Sequence, residues 1–505
     1  MTEQHQLSDT AITTLTGWFD DKKVITPSIN YAVFDRGGIL FQHGIGEFQR
    51  DGRVPQVDTI YRIASMSKSF CIASILVLKE RGLLTLDDEV ATHVPEFGNY
   101  IDPFGVETPI TIRMLMNNSS GLPEDNAWAD HHMSISRDDL MAVIDAGLHF
   151  SDYPEAGYQY SNMGFALLGF IVENVTGIGF TEFTTTTLLA PLGLASTRYG
   201  VNEYSDLGEG GAGIAYGYTS FDKGASWIDR PFAPTGAFGS TMSMFSTLVD
   251  IQKWSAWLSS AFEQDNNNDA ILSRASRRLM QRGFTPIHST GKAERREHLE
   301  NASYGLGLMV EQDVRFGNIA HHSGGLPGFG SNMRWHTSSG IGVTLFTNTN
   351  GNATADWTAA MLRIVLEDLD VPAKLVPLWP ETIAAAQAIE TAILTSGHVL
   401  DADTRFSPNV DSDVPAAVRN SRLAELVTTV GGLPDPATIP PLSERLDWAI
   451  ASSHLVWTIP AAAGALECKL EMTETTPSLV QRIDIAVKDA SSVGDLVARH
   501  FRPVV

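Results

Sequence analysis

Ser65 and Lys68 stand three positions apart, in Ser65-Met66-Ser67-Lys68, where a strand-like run gives way to a long apolar helix. Residues i and i+3 share a helix face. A hydroxyl and an amine can therefore lie side by side in a first turn where the dipole favours negative charge and unpaired N–H groups can donate. Such a pair offers a serine nucleophile activated without a histidine, and hence acyl transfer through a covalent intermediate. Phe70, Cys71, Ile72, Ile75, Leu76 and Leu78 continue at helical spacing to Arg81-Gly82, a C-terminal stop. A helix this apolar is buried, so its polar first turn must face something specific.

Two further motifs follow. Tyr160-Ser161-Asn162 precedes a second apolar helix from Met163 to Val172, and His322-Ser323-Gly324 closes an apolar strand-like run from Ile319 and opens a glycine-rich turn through Gly330. Each motif has an ordinary reading. A lone Ser-x-x-Lys is commonly a solvated helix start, and a lone tyrosine is a core residue with a satisfied hydroxyl.

The order Ser-x-x-Lys, Tyr-x-Asn, His-x-Gly resembles the penicillin-recognising serine hydrolases, in the branch of class C β-lactamases, penicillin-binding D-Ala-D-Ala carboxypeptidases, D-aminopeptidases and β-lactamase-like esterases; the class A enzymes carry different second and third motifs. Asn118-Ser119-Ser120-Gly121-Leu122-Pro123, Leu84 to Val90 and Tyr304-Gly305-Leu306-Gly307 are similar to other signatures of the family, and the likeness runs from about residue 10 to 370. It implies an α+β fold with an antiparallel sheet flanked by helices, plus a helical domain. It also implies an acyl-enzyme at Ser65, with Tyr160 as general base, its phenol lowered by the Lys68 ammonium. Asn162 would orient Lys68 and hold the substrate's amide, His322 would hydrogen-bond toward Tyr160, and Ser323 would offer its hydroxyl to the substrate. The oxyanion donors map to the N–H groups of Ser65 and Gly325. His322 departs from the lysine usual in β-lactamases and the tryptophan of many esterases, and resembles the D-peptide-processing members. An amide or peptide bond of a D-amino acid is thus the expected substrate, with a carboxylesterase or weak β-lactamase as the alternative and a silent binding scaffold as the alternative of another class.

The 505 residues exceed what one core usually serves. A formal net charge of −24 argues against nucleic acid or an anionic membrane as partner. The expected partner is a small molecule or short peptide, and a homo-oligomer is compatible with the sequence. Cys71 and Cys468 imply no disulfide framework. Without a visible signal peptide, the expected compartment is the cytoplasm.

Residues 9–22 read as an amphipathic helix, 28–34 and 39–41 as a hairpin, 319–324, 331–336 and 341–347 as strands, and 356–368 as a closing helix. Val371-Pro372 marks a boundary between a hydrolase domain, 1–370, and a C-terminal α/β-mixed accessory module, 373–505. In that module Ala384 to Ala386 read as helical, 401–418 as loop, and 446–458, 465–473 and 478–488 as strands. The patch Asp265 to Asp269 reads as an exposed loop.

Three other patterns carry less. His321-His322 lacks the further ligands a metal would need, so no metal and no organic cofactor is expected. Gly208, Gly210 and Gly213 imitate a dinucleotide fingerprint without its strand and helix. His321 to Gly325 imitates the nucleophile elbow of α/β-hydrolases, but histidine stands where glycine is wanted and Pro327-Gly328 breaks the turn where a helix should follow.

Overall fold

Strands Ser28–Asp35, Phe329–His336 and Gly342–Thr347 are buried along their whole length, which requires cover on both faces of the sheet. In the computed structural model, which describes residues 5–102, 104–207, 213–263, 269–287, 298–488 and 502–504, these strands form the middle of an eight-stranded sheet. Its order is Gly38–Gly46, Ser28–Asp35, Gly342–Thr347, Phe329–His336, Gly317–Leu326, Met309–Asp313, Leu299–Tyr304 and Thr285–Pro286. All neighbours are antiparallel. Helix Thr354–Asp368 packs against Phe329–His336 and Gly342–Thr347, and helix Leu248–Ser259 packs on the same strands and on Ser28–Asp35.

The chain divides into two compact units, Met1–Asp313 with Gly317–Val371, and Val314–Phe316 with Pro372–Val505. In the first, helix Ser67–Glu80 is buried from Ser67 to Leu78 and packs against helix Asn162–Thr176. Gly169 permits the close approach of Gly239–Met242, since a Cβ there would meet Ser240 Oγ at 2.7 Å. In the second, helix Pro380–Thr395 buries Ala385, Ala386, Ile389 and Ile393 in a core shared with Leu455, Trp457, Leu466 and Leu470. The sheet there is a four-stranded antiparallel meander of Leu446–Trp448, His454–Ala461, Gly464–Met472 and Val480–Val487. No single helix among the described residues is long and apolar enough to cross a membrane.

Several expected boundaries move. The first helix covers only Asp9–Thr16, because Gly17 ends it, its N–H bonded to Thr13 O. The strand expected at 319–324 runs from Gly317 to Leu326, so Gly324 and Gly325 lie in it and the turn is Pro327-Gly328, with Gly328 at φ +94°. The run 446–458 breaks into two strands, with the Ser452 carbonyl between them taken by Trp379 N–H and Thr382 Oγ1. Residues 401–418 include helix Asn409–Asp413 and the start of Ala416–Thr429. Asp265 to Asn268, Gly208 and Gly210 lie outside the described residues.

Candidate active site

Strand Tyr61–Arg62 leads into a tight turn, Ala64–Met66, that feeds helix Ser67–Glu80. Ala64 sits at φ +49°, a left-handed conformation costly for a residue with a Cβ. It is held from both sides: Ser331 Oγ donates to Ile63 O at 2.8 Å, and Ser67 Oγ donates to Ala64 O at 2.6 Å. Strand Gly317–Leu326 presses close to this turn, and a Cβ at position 324 would fall 2.1 Å from Ile63 O. Only glycine permits that approach. The turn thus carries Ser65 to the floor of a cleft of ≈ 730 Å³ also lined by Tyr160, His322, Ser323 and Gly325.

Lys68 is fully buried. Its Nζ lies 3.1 Å from Ser65 Oγ, 2.7 Å from Asn162 Oδ1 and 3.4 Å from Thr241 O. A neutral amine can donate to Asn162 and Thr241 while its lone pair accepts the Ser65 proton. Burial pulls Lys68 down to about 7, against the upward pull of Asp125, Asp130 and Cys71. Tyr160 moves the other way: burial raises its phenol well above 10, opposed by a hydrogen bond with Ser65 and aided by Tyr158, Asp130 and Asp125. Lys68 Nζ stands 4.8 Å from the Tyr160 ring centroid. The expectation that Lys68 lowers Tyr160 therefore reverses, because burial acts on both groups and disfavours the charged form of each.

Successive side chains of a strand point to opposite faces, which parts the two histidines. His321 Nε2 lies 3.2 Å from Glu311 Oε1, in a buried cluster with Arg334. His322 faces the cleft, but its ring does not bond to Tyr160 as expected. Nε2 lies 3.1 Å from Tyr304 Oη and Nδ1 lies 2.6 Å from Ser323 O. The carbonyl can only accept, so Nδ1 carries the proton and Tyr304 donates to Nε2. Burial, then Lys68, brings His322 down to about 3. His322 is thus a neutral ring with both nitrogens engaged.

Asn162 begins helix Asn162–Thr176 behind an N-cap, Ser161, whose side chain accepts from Gly164 N–H. Its Oδ1 faces Lys68, and its Nδ2 donates to Asp125 Oδ1 at 3.0 Å and Asn126 Oδ1 at 2.9 Å. The Asp125 carboxylate also takes the N–H groups of Asn162 and Met163 at 2.7 and 2.8 Å. Ser323 Oγ accepts from Asn332 Nδ2 at 2.9 Å, while Thr358 Oγ1 donates to Asn332 Oδ1 at 2.6 Å. Gly325 pairs with Gly330, and nothing lies within 4 Å of where its Cβ would be.

All seven expected residues meet at this cleft or directly beneath it. The elbow reading fails on topology, since Ser323 lies inside a strand that turns into another strand. Among the described residues no group of three metal-ligating side chains is suited to an ion. Sequence reasoning missed Tyr304, Asp125, Asp130 and Thr241. Tyr304 opens the Tyr304-Gly305-Leu306-Gly307 signature, which points to a strand and not to a role, and Asp125 and Asp130 lie in the stretch after Gly121-Leu122-Pro123, past Glu124.

A family model described as Beta-lactamase matches residues 20–366. Penicillin-binding protein 4* of Bacillus subtilis (strain 168) is 27% identical over 313 residues, covering 59% of this chain and 62% of that protein, under two thirds of its length. The octameric penicillin-binding protein homologue from Pyrococcus abyssi superposes with a TM-score of 0.59 at 17% identity, covering 95% of this chain and 98% of that one. The D-amino acid amidase from Ochrobactrum anthropi SV3 complexed with D-phenylalanine gives 0.53 at 21% identity, covering 72% and 97%. At such identities the solved structures speak for the fold.

Proposed function

Because this chain belongs to the beta-lactamase family, whose members are serine hydrolases, we propose that it hydrolyses an amide or peptide bond of a D-amino acid through an acyl-enzyme at Ser65. The observation that carries this reading is Lys68 Nζ at 3.1 Å from Ser65 Oγ, buried at the floor of an open cleft.

Neutral Lys68 takes the Ser65 proton as Oγ attacks the carbonyl carbon, and the oxyanion forms against the N–H groups of Ser65 and Gly325. Asn162 and Thr241 hold the amine in place throughout. As the intermediate collapses, the leaving nitrogen takes a proton that Lys68 now carries, relayed by the Tyr160 hydroxyl. Water then attacks the ester carbonyl along the same proton path in reverse. Tyr160 thus serves as a protonated relay; a phenol held well above 10 supports that role over a standing phenolate. His322, held by Tyr304, fixes the strand that presents Ser323 and Gly325.

The preference for a D-amino acid amide draws on the likeness to the Ochrobactrum amidase and on the histidine at 322. We place the chemistry in residues 1–370, with 373–505 as an accessory module, and extend from the octameric Pyrococcus homologue a tendency to self-associate. Chromogenic esters, D-amino-acid anilides and a chromogenic cephalosporin, tested side by side on purified protein, decide the substrate class. Fastest turnover of the anilides supports this reading, and exclusive turnover of the cephalosporin or the esters overturns it.

A further inference from the structure

The wall of the cleft facing strand Gly317–Leu326 comes from the segment after Pro123, and Glu124, Asn126 and Asp130 reach the lining. The three carboxylates of this segment differ in what they are doing. Asp125 is fully engaged, accepting from two backbone N–H groups and from Asn162 Nδ2. Glu124 is exposed, with Asn126 Nδ2 on one of its oxygens at 2.9 Å. Asp130, in the short helix Asn126–His131, is half-buried and lines the same cleft as Ser65 and Tyr160, yet no hydrogen bond to its carboxylate is found among the described residues.

A carboxylate withdrawn from water without donors is unfavourable until a donor arrives. Asp130 feels this: burial pushes it up to about 6, with Lys68 and His131 pulling it down and Asp125 pushing it up. Among the described lining residues the other ionisable side chains are Glu124, Tyr158, Tyr160, His322 and Asp356, and none is a lysine or arginine. With His322 neutral, the charged side chains of this described lining are carboxylates. A substrate carboxylate has no cationic partner in this set, whereas a substrate cation has a carboxylate, Asp130, on the same cleft as the reacting serine.

We propose that Asp130 binds the free ammonium group of an α-aminoacyl substrate, so that the enzyme acts on N-terminal residues or amino-acid amides rather than on N-blocked ones. The proposal rests on the Ser65 acyl-enzyme reading and names its substrate class. In an α-aminoacyl donor the amine stands on the carbon next to the carbonyl that Ser65 attacks. Its charge therefore lies near that carbonyl, in the part of the cleft where Asp130 acts on Lys68 and Tyr160. The apolar lining from Leu326, Phe329, Ile287 and Met309 is left for the side chain. The plain alternative role for Asp130 is as a distant counter-ion for Lys68.

These roles separate in a ratio. Take phenylalanine p-nitroanilide and methyl ester in both enantiomers, each with a free amine and N-acetylated, and measure kcat/KM on the full chain near pH 7.5. The proposal expects the free amine to be preferred about tenfold or more, that preference to fall about tenfold in Asp130→Asn, and Asp130→Glu to keep much of it. A counter-ion role would lower amine and N-acetyl substrates in proportion, and an unchanged ratio overturns the proposal. So does a wild-type enzyme that takes N-acetyl substrates equally well. Phosphonate labelling of Ser65 runs in parallel. Labelled enzyme that turns over none of the amine substrates overturns the ammonium site alone, whereas a Ser65 that cannot be labelled overturns the hydrolase reading beneath it. Circular dichroism of each variant confirms folding.

Discussion

The reversal between Lys68 and Tyr160 gives a pH profile of defined shape. Lys68 is lowered to about 7 by burial, so neutral amine is roughly one tenth of the total at pH 6, half at pH 7 and nine tenths at pH 8. If neutral Lys68 takes the Ser65 proton, the rate of serine phosphonylation rises about fivefold from pH 6 to 7, less than about twofold from 7 to 8, and then stays flat. A fluorophosphonate suits the assay because fluoride leaves without needing a proton, which isolates the attack step. Asp130 pushes Lys68 upward, so Asp130→Asn should move the midpoint to lower pH. Were Tyr160 the base, with a phenol well above 10, the rate would climb about tenfold per pH unit through pH 9 with no plateau. A profile still climbing between pH 8 and 9 would refute the assignment of Lys68. The linkage has a matching sign: the folded pKa lies below the unfolded one, so the buried amine costs stability at neutral pH and that cost fades as pH rises toward about 10.

Tyr160→Phe should keep the fold and lower amide turnover by roughly a hundredfold, while phosphonylation by a fluoride-leaving reagent falls less; equal losses in both assays would make the hydroxyl a partner of attack rather than of departure. Gly324→Ala forces a Cβ to 2.1 Å from Ile63 O, so it should lose Ser65 labelling and about 1–3 kcal/mol of stability in denaturant melts, and a labelled, wild-type-stable variant would mean the strand relaxes freely. Deleting 373–505 should leave a folded protein that is still phosphonylated at Ser65; a folded truncation that cannot be labelled would place part of the site in the C-terminal unit.

How much of the fold and the site is legible in the sequence follows the range of the interactions. Ser65 and Lys68 meet through one helical turn, and His321 and His322 part through strand alternation, so both are local facts. Of the middle strands of the sheet, Ser28–Asp35 and Gly342–Thr347 show through their apolar and aromatic stretches Tyr31 to Phe34 and Ile341 to Phe346, whereas Phe329–His336 carries Ser331, Asn332 and Arg334 and shows through Phe329, Met333 and Trp335 between two turns. Strand Met309–Asp313 is not, since it carries Glu311 and Asp313, buried charges paired across the fold with Arg334 and Arg363. Strand Leu299–Tyr304 is half-exposed over most of its length and shows no clean alternation. The Tyr304–His322 bond joins two strands separated by Met309–Asp313, and no spacing rule announces it. The direction of the Lys68 and Tyr160 shifts depends on burial by surrounding elements, which the motif alone does not contain.

The central claim is that Ser65 becomes acylated with help from Lys68. Intact-mass spectrometry after fluorophosphonate treatment, followed by peptide mapping, tests it most directly. The expected result is one adduct per chain on Ser65, absent in Ser65→Ala and slowed by orders of magnitude in Lys68→Met. An adduct on Ser323, no adduct on any serine, or undiminished labelling of Lys68→Met would contradict it.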